Sequence, residues 1–387
     1  MKIKKEKDFI SCFNEKTGRY MRTGILETDE NGRRRDTGID PFMASFPELL
    51  DVGIMGHCTH GETGLCVKAG IGCYQDGLHS NKDNMSLKDF ESIVDQCKGK
   101  TFQIALGGCG DPDQHEQFEG ILRSCKAAGI VPNFTTSGYG MTEDIARLCK
   151  RYCGAVAVSW YRSEYTLRAI DMLIAAGVKT NIHYVLSKSS VHEAICRLKK
   201  SSIYSANASE DNRNDKHNND NRYYGDADEE YSSFPDDINA IIFLLHKPVG
   251  LGTKEEMITS NNKEFHELIE YIDEHSFPFK IGFDSCTVPA LLGMSNVDPD
   301  SMDTCEGGRW SAYISADMKM MPCSFDNQSE RWAVGLRKNS IKEAWDSELF
   351  DGFRNHFLMS CKECEKRTAC MGGCPIVPEI VQCGQKL

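Results

Sequence analysis

Seven cysteines from residue 305 onward constrain this chain more than any other feature. Cys305 and Cys323 flank a short stretch that reads as β structure. Cys361, Cys364, Cys370 and Cys374 follow as C-x2-C-x5-C-x3-C, and Cys383 closes the set. Thiolates at these intervals cannot all pair as disulfides without strain, but they can wrap soft metal centres.

The 387 residues suit two domains, or one domain with an appendix. A net charge of −12 leaves no basic stripe to neutralise phosphates, which argues against a nucleic-acid partner. No apolar run approaches the length of a membrane span. The lysine-rich start, Met1 to Phe9, has no apolar run behind it, so it is not a signal peptide. Eighteen cysteines without such a signal point to a reducing cytoplasm, where clustered cysteines mean metal ligation or catalysis more often than disulfides. The scattered Cys12, Cys97, Cys125, Cys149, Cys153 and Cys196 read as small buried hydrophobes.

Residues 1–48 read as an irregular, partly hairpin-like lead-in with a turn at Asp29-Glu30-Asn31-Gly32. From Leu49 to residue 282, short apolar runs alternate with amphipathic segments. Strands are expected at Leu49–Ile54, Thr101–Leu106, Ile130–Thr136, Ala155–Ser159, Val178–Leu186 and Ile238–Leu245. Helices are expected between Ser86 and Cys97, at His115–Ala128, Thr142–Cys153, Glu164–Ala176, Val191–Lys200 and Lys263–His275. This alternation implies right-handed βαβ units and a parallel α/β sheet, six units long: a partial (β/α)6 barrel rather than a closed one of eight. A stretch at about 205–235, dominated by Asn, Asp, Glu and Ser, cannot bury a core and reads as a disordered surface insertion.

Just after the first strand come Cys58, Cys66 and Cys73, spaced C-x7-C-x6-C, in a loop where parallel folds place their chemistry. Taken alone, the triad fits an iron–sulfur cube with one open iron, a zinc site completed by His57 or His60, or structural thiols. Further tags close the following strands. They are Gly107-Gly108-Cys109-Gly110-Asp111-Pro112, Thr135-Thr136-Ser137-Gly138, Ser159 with Arg162 beyond it, Asn181 and His183, and His246-Lys247-Pro248-Val249-Gly250-Leu251-Gly252.

These tags, in this order on one sheet edge, resemble the radical SAM superfamily, and the C-terminal cysteines resemble its SPASM domain. The usual cluster motif is C-x3-C-x2-C with an aromatic before the last cysteine; here Gly72 precedes Cys73 and Tyr74 follows it. The resemblance implies a [4Fe–4S] cluster on Cys58, Cys66 and Cys73 that cleaves S-adenosylmethionine to a 5′-deoxyadenosyl radical. Gly107, Gly108, Gly110, Asp111, Ser137, Ser159 and Arg162 would hold the cofactor, with Asp111 replacing an acid missing at position 109. Residues 283–387 would form the SPASM domain. Its first auxiliary cluster would sit on Cys305, Cys323 and Cys374, with Cys286 as a fourth ligand or an open iron in its place. The second would sit on Cys361, Cys364, Cys370 and Cys383. Two zinc sites are the competing reading of these cysteines. A hairpin is expected around Asp317-Met318, its turn differing from the family's because a methionine stands where a glycine is usual. Ser340 to Trp345 resembles the short helix between the domain's halves.

Such enzymes mostly modify peptides, so the implied partners are a precursor peptide and an electron donor, a reductase or a flavodoxin or ferredoxin. Thioether or carbon–carbon crosslinking is the expected outcome; epimerisation, methylation and formylglycine formation are the alternatives. Sulfatase maturases carry an acidic base right after the domain's second cysteine. Here Ser324 stands there and Asp326 lies two further on, which counts against formylglycine chemistry. No segment before residue 49 suffices for a winged-helix leader-binding domain, so a leader would bind the barrel, the insertion or a partner. A non-catalytic iron–sulfur or zinc protein is the alternative from another class.

Overall fold

The computed structural model describes residues 1–68, 70–202, 204–205, 231–292, 294–297, 302–359, 363–364, 370–371 and 373–380. Cys361, Cys383 and most of the expected insertion lie outside them.

Seven parallel strands carry the fold: β1 (Leu49–Met55), β2 (Gln103–Gly108), β3 (Val131–Thr136), β4 (Val156–Ser159), β5 (Thr180–Leu186), β6 (Ala240–Leu245) and β7 (Lys280–Phe283). Burial alternates along them. Leu50, Val52 and Ile54 of β1 are fully buried beneath the helical layer, while Asp51 and Gly53 turn to the concave face. Helices α1 (Leu87–Cys97), α2 (Phe118–Ala127), α3 (Glu143–Tyr152), α4 (Glu164–Ala175), α5 (Val191–Ser201) and α6 (Lys263–Glu274) cover the convex face. Ser86, Thr142, Ser163 and Asn262 cap α1, α3, α4 and α6 by accepting from backbone N–H groups in the first turn, each contributing about 1 kcal/mol. The helix expected from His115 begins at Phe118, because His115 is spent elsewhere: its Nε2 donates to Met85 O at 2.9 Å and its Nδ1 accepts from Gln117 N at 3.0 Å.

The sheet is open and does not end at β1. Strand β8 (Ser311–Ile314) lies parallel to β1, pairing Ser311–Ile314 with Leu49–Val52, and β9 (Lys319–Met321) and β10 (Val334–Gly335) extend it antiparallel. One ten-stranded sheet, ordered β7-β6-β5-β4-β3-β2-β1-β8-β9-β10, therefore joins the barrel to the C-terminal segment. Neither β7 nor this long-range pairing was legible in the sequence. In the β8–β9 turn Met318 takes φ +66°, the left-handed conformation that favours glycine. The glycine-type turn is thus kept with a buried methionine in it. The short helix α7 (Ile341–Trp345) carries a capping box between Ser340 and Glu343, and α8 (Glu348–Met359) follows.

The lead-in is more ordered than its sequence suggests. Lys2–Lys5, Ile10–Phe13 and Tyr20–Arg22 form a three-stranded sheet, and Leu26–Thr28 pairs with Arg34–Asp36 across the expected turn. Ser11 Oγ and Tyr20 OH each donate to Glu48 at 2.6 Å, fastening this sheet beside the start of β1. Phe13, Glu15, Thr17 and Gly18 line a cavity of about 320 Å³ with residues of β2 to β5, at the amino-terminal end of the barrel.

Candidate functional site

The triad loop leaves β1 at Met55 and runs over two short helical turns, Thr59–Thr63 and Leu65–Lys68. The ends of β2 and β6 shape it from beneath. A Cβ on Gly108 (φ +118°) would lie 2.3 Å from Met55 O, and one on Gly110 would lie 2.7 Å from His57 O. After β6, a Cβ on Gly250 (φ +63°) would lie 2.5 Å from Tyr74 O and 2.6 Å from Cys73 O, while Leu251 N donates to Cys73 O at 2.9 Å. These glycines serve backbone-on-backbone packing that positions Cys58 and Cys73. Gly107 differs: nothing lies within 4 Å of where its Cβ would be, so it leaves open space.

Cys58, Cys66 and Cys73 share one electrostatic neighbourhood. Burial pushes the Cys66 thiol up to about 11; Tyr161, donating to it, works the other way, and the charges of Cys58, Cys73 and Asp111 add to the rise. Asp111 does not reach outward. Its Oδ1 accepts from Ser137 N at 2.8 Å, and its Oδ2 from Ser137 Oγ and from His60 Nε2 at 2.9 Å. The fully buried His60 is thereby oriented, its Nδ1 unpartnered. Ser159 ends β4, half-buried, and Arg162 (φ +58°) is ion-paired through Nε with Glu193 on α5. Cys109 faces away from Asp111, its thiol directed at Gln75 O, 3.6 Å away.

A second thiol set assembles from distant segments. Cys286 follows β7 on a 3-10 turn, Cys305 precedes β8, Cys323 follows β9, and Cys374 lies near the end of the described chain. Burial raises all four thiols, Cys323 to about 12, and the charges of the others add to the rise at Cys305. A Cβ on Gly307 would lie 3.0 Å from Pro322 O, a tight approach, and in ordinary contact with Cys323 Cβ at 3.5 Å and Cys305 Sγ at 3.6 Å. Arg309, fully buried, holds the Cys305 segment. It donates to Thr304 Oγ1 at 2.7 Å, Cys305 O at 3.1 Å and Phe42 O at 2.8 Å, and pairs with Asp40. Asp326 is structural, accepting from Arg331 N at 3.1 Å and Trp332 N at 2.9 Å while fully buried.

The donor chemistry of both sets can be tested against the clusters the sequence implies. None of the described cysteines is in a disulfide. Among the described residues, no three His, Cys, Asp or Glu side chains converge closely enough to hold a single metal ion. The donors of both sets are thiols outside any disulfide, the soft donor type that iron–sulfur clusters take. Cys364 and Cys370 lie in short described stretches, and Cys361 and Cys383, expected on the same cluster, lie outside the described residues.

Between the sets lie groups that sequence reasoning missed. Asn327 Nδ2 donates to Gln75 Oε1 at 2.8 Å, tying the triad loop to the segment after Cys323. Tyr313 of β8 lies over Gly53, whose Cβ would fall 2.4 Å from its hydroxyl. Burial lifts the Asp51 carboxyl to about 6, and burial with the nearby charges of Asp303 and Asp51 lifts Glu306 to about 7. An acidic residue at alternate positions of an otherwise apolar strand was the available signal for Asp51.

Residues 305–367 match the family model of the SPASM iron–sulfur cluster-binding domain. The chain carries a SPASM domain. No curated protein matches the whole sequence. SuiB from Streptococcus suis bound to S-adenosylmethionine superposes with a TM-score of 0.59 at 16% identity, over 87% of this chain and 76% of SuiB. SuiB bound to its precursor peptide SuiA gives 0.59 at 16%, over 86% and 73%. The enzyme anSMEcpe with bound AdoMet and the Cp18Cys peptide gives 0.53 at 15%, over 85% and 89%. The chain shares the fold of SuiB and anSMEcpe, built on an open, mostly parallel sheet. No helix of the described residues is long and apolar enough to cross a membrane.

Proposed function

We propose that this SPASM-domain chain modifies a ribosomally made peptide by radical chemistry, forming a thioether or carbon–carbon crosslink. Held by Cys58, Cys66 and Cys73, a [4Fe–4S] cluster would supply reductive cleavage of S-adenosylmethionine to a 5′-deoxyadenosyl radical. The observation that carries the reading is the contact between the two thiol-bearing regions, through Gln75–Asn327, through the Tyr74–Phe325 ring pair and through Tyr313 over Gly53. Both relatives solved with a peptide support the substrate class.

The chain's own residues divide the remaining work. The open space beside Gly107, with Ser137 and Ser159 at the ends of the neighbouring strands, would take the cofactor, and Asp111 holds His60 within the triad loop. Cys286, Cys305, Cys323 and Cys374 hold a first auxiliary cluster, and Cys361, Cys364, Cys370 and Cys383 a second. A reductase, flavodoxin or ferredoxin supplies electrons. Asp51, buried and largely ionised at neutral pH, takes the substrate proton that an acid after Cys323 would otherwise take. With Ser324 there and Asp326 committed to backbone amides, formylglycine formation is disfavoured.

The test is anaerobic reconstitution of the full chain with iron and sulfide, then dithionite and S-adenosylmethionine. Wild type should release 5′-deoxyadenosine and a Cys58/Cys66/Cys73→Ala variant none. Iron-replete wild type that releases none would replace this reading with a non-catalytic iron–sulfur protein.

A further inference from the structure

Lys247 is buried, with its side chain 2% exposed, in the loop that leaves β6. Its ammonium donates to Leu245 O at 2.9 Å and to Asp284 Oδ2 at 2.7 Å, and stands 4.5 Å from the centre of the Phe325 ring. Asp284 lies two residues before Cys286, and Phe325 two residues after Cys323. A lysine from the barrel thus plugs into both cysteine-bearing segments of the second set. Asp284 is held in place by further bonds: it also accepts from Leu245 N at 3.2 Å and from Thr287 Oγ1 at 2.7 Å.

A buried ion pair is a costly way to join two segments, and apolar residues of similar volume often do so as well. The pair's placement gives it another effect. Burial raises the thiols of Cys286, Cys323 and Cys374, and the lysine charge opposes that rise at all three. At Cys286 and Cys374 it outweighs the contrary pull of Asp284, and at Cys323 it acts without it. A buried cation thus stands between the segments that carry Cys286 and Cys323, in surroundings of low dielectric where charge acts strongly.

We propose that Lys247 sets the reduction potential of the auxiliary cluster on Cys286, Cys305, Cys323 and Cys374, holding it high enough to take an electron, with Asp284 as the opposing trim. The inference rests on the proposed function, which puts a cluster on these cysteines. Reduction adds one negative charge to the cluster, and a fixed cation beside it stabilises the reduced form. In a peptide oxidation the electron left on the substrate after hydrogen abstraction moves to this cluster, which is reduced by one electron, and the substrate loses a proton as its new bond forms. Lys247 acts on the acceptor and touches neither substrate nor cofactor; it is a positioning charge.

The experiment is redox titration, followed by electron paramagnetic resonance, of the anaerobically reconstituted full chain. The relevant signal is identified as the one lost in Cys323→Ser. Lys247→Met should move its midpoint to more negative potential, and Asp284→Asn to more positive potential. Lys247→Arg should leave it near wild type, and the other clusters' midpoints should not move. Opposite shifts from two partners of one ion pair cannot come from loosened packing alone. Should Lys247→Met fail to fold, Asp284→Asn and Lys247→Arg still decide the matter. An unmoved midpoint in iron-replete Lys247→Met and Asp284→Asn, or shifts of the same sign, would overturn the inference and leave the proposed function standing. Wild type without a signal that depends on Cys323 would remove both the cluster assignment and the inference.

Discussion

The two thiol sets are built by opposite means. Cys58, Cys66 and Cys73 sit on one loop, residues 58–73, whose shape comes from what packs against it: the backbones of Gly108, Gly110 and Gly250. Cys286, Cys305, Cys323 and Cys374 come from four segments and meet only when β8 has paired with β1 and Arg309 has locked the Cys305 segment to the lead-in. A loop held from outside can change its internal spacing and keep its ends in place. A set gathered from four segments has no such freedom, since each cysteine's position is fixed by a different part of the core. This is how the triad can stand at C-x7-C-x6-C where the resemblance expects C-x3-C-x2-C.

The comparison can be broken first at Arg309. Arg309→Met removes bonds to Thr304, Cys305, Phe42 and Asp40 and should destabilise the chain by about 3–5 kcal/mol, read as a lower urea midpoint. A loss under about 1 kcal/mol would show that the second set does not depend on this anchor. Gly250→Ala attacks the other set. Its Cβ would press on Cys73 O and Tyr74 O from a left-handed backbone, at a cost of about 2–4 kcal/mol. The iron missing after reconstitution should then be the triad's, with the Cys323-dependent signal intact.

Asp51 sharpens the comparison through pH. Its folded-state pKa is raised to about 6, so its contribution is complete below the unfolded value near 4 and is lost as pH rises through 6. At pH 8 the ionised, buried carboxylate costs the apoprotein roughly 2–3 kcal/mol. Asp51→Asn should therefore raise Tm at pH 8 and leave it unchanged at pH 4; equal effects at both would refute the assignment. The smallest effect is expected where the two regions touch. A Gln75→Leu/Asn327→Leu double-mutant cycle should give a coupling of about 1 kcal/mol, and zero coupling would mean that the regions do not communicate through this pair.

Much of this was legible in the sequence because it rests on local signals. The alternation of Leu50, Val52 and Ile54, and the caps at Ser86, Thr142 and Ser163, are written in adjacent residues, and the strands and helices fall where those signals put them. The second set was legible as a spacing, and the structure brings Cys286 to Cys305, Cys323 and Cys374. Other features depend on contacts between residues hundreds of positions apart. The parallel pairing of Ser311–Ile314 with Leu49–Val52 leaves no trace in either segment, because β-branched and apolar strands fit many neighbours. Asp111, read as a cofactor ligand, is already engaged by His60 and Ser137, and Arg162 by Glu193; a sequence shows the charges and not their partners. Met318 shows a further limit: neighbouring contacts can hold a non-glycine residue in a glycine's backbone conformation.

The pairing of β8 with β1 also has a consequence for synthesis. Strand β1 is made early, yet its outer edge stays without a partner until the ribosome has passed Ile314. Through all of that time a row of unpaired amides and carbonyls is presented beside an apolar strand, the kind of edge that recruits other chains. The nascent protein therefore carries this open edge from the first strand of the parallel sheet until β8 is made, and the segment that brings Cys305 and Cys323 is also the one that closes it.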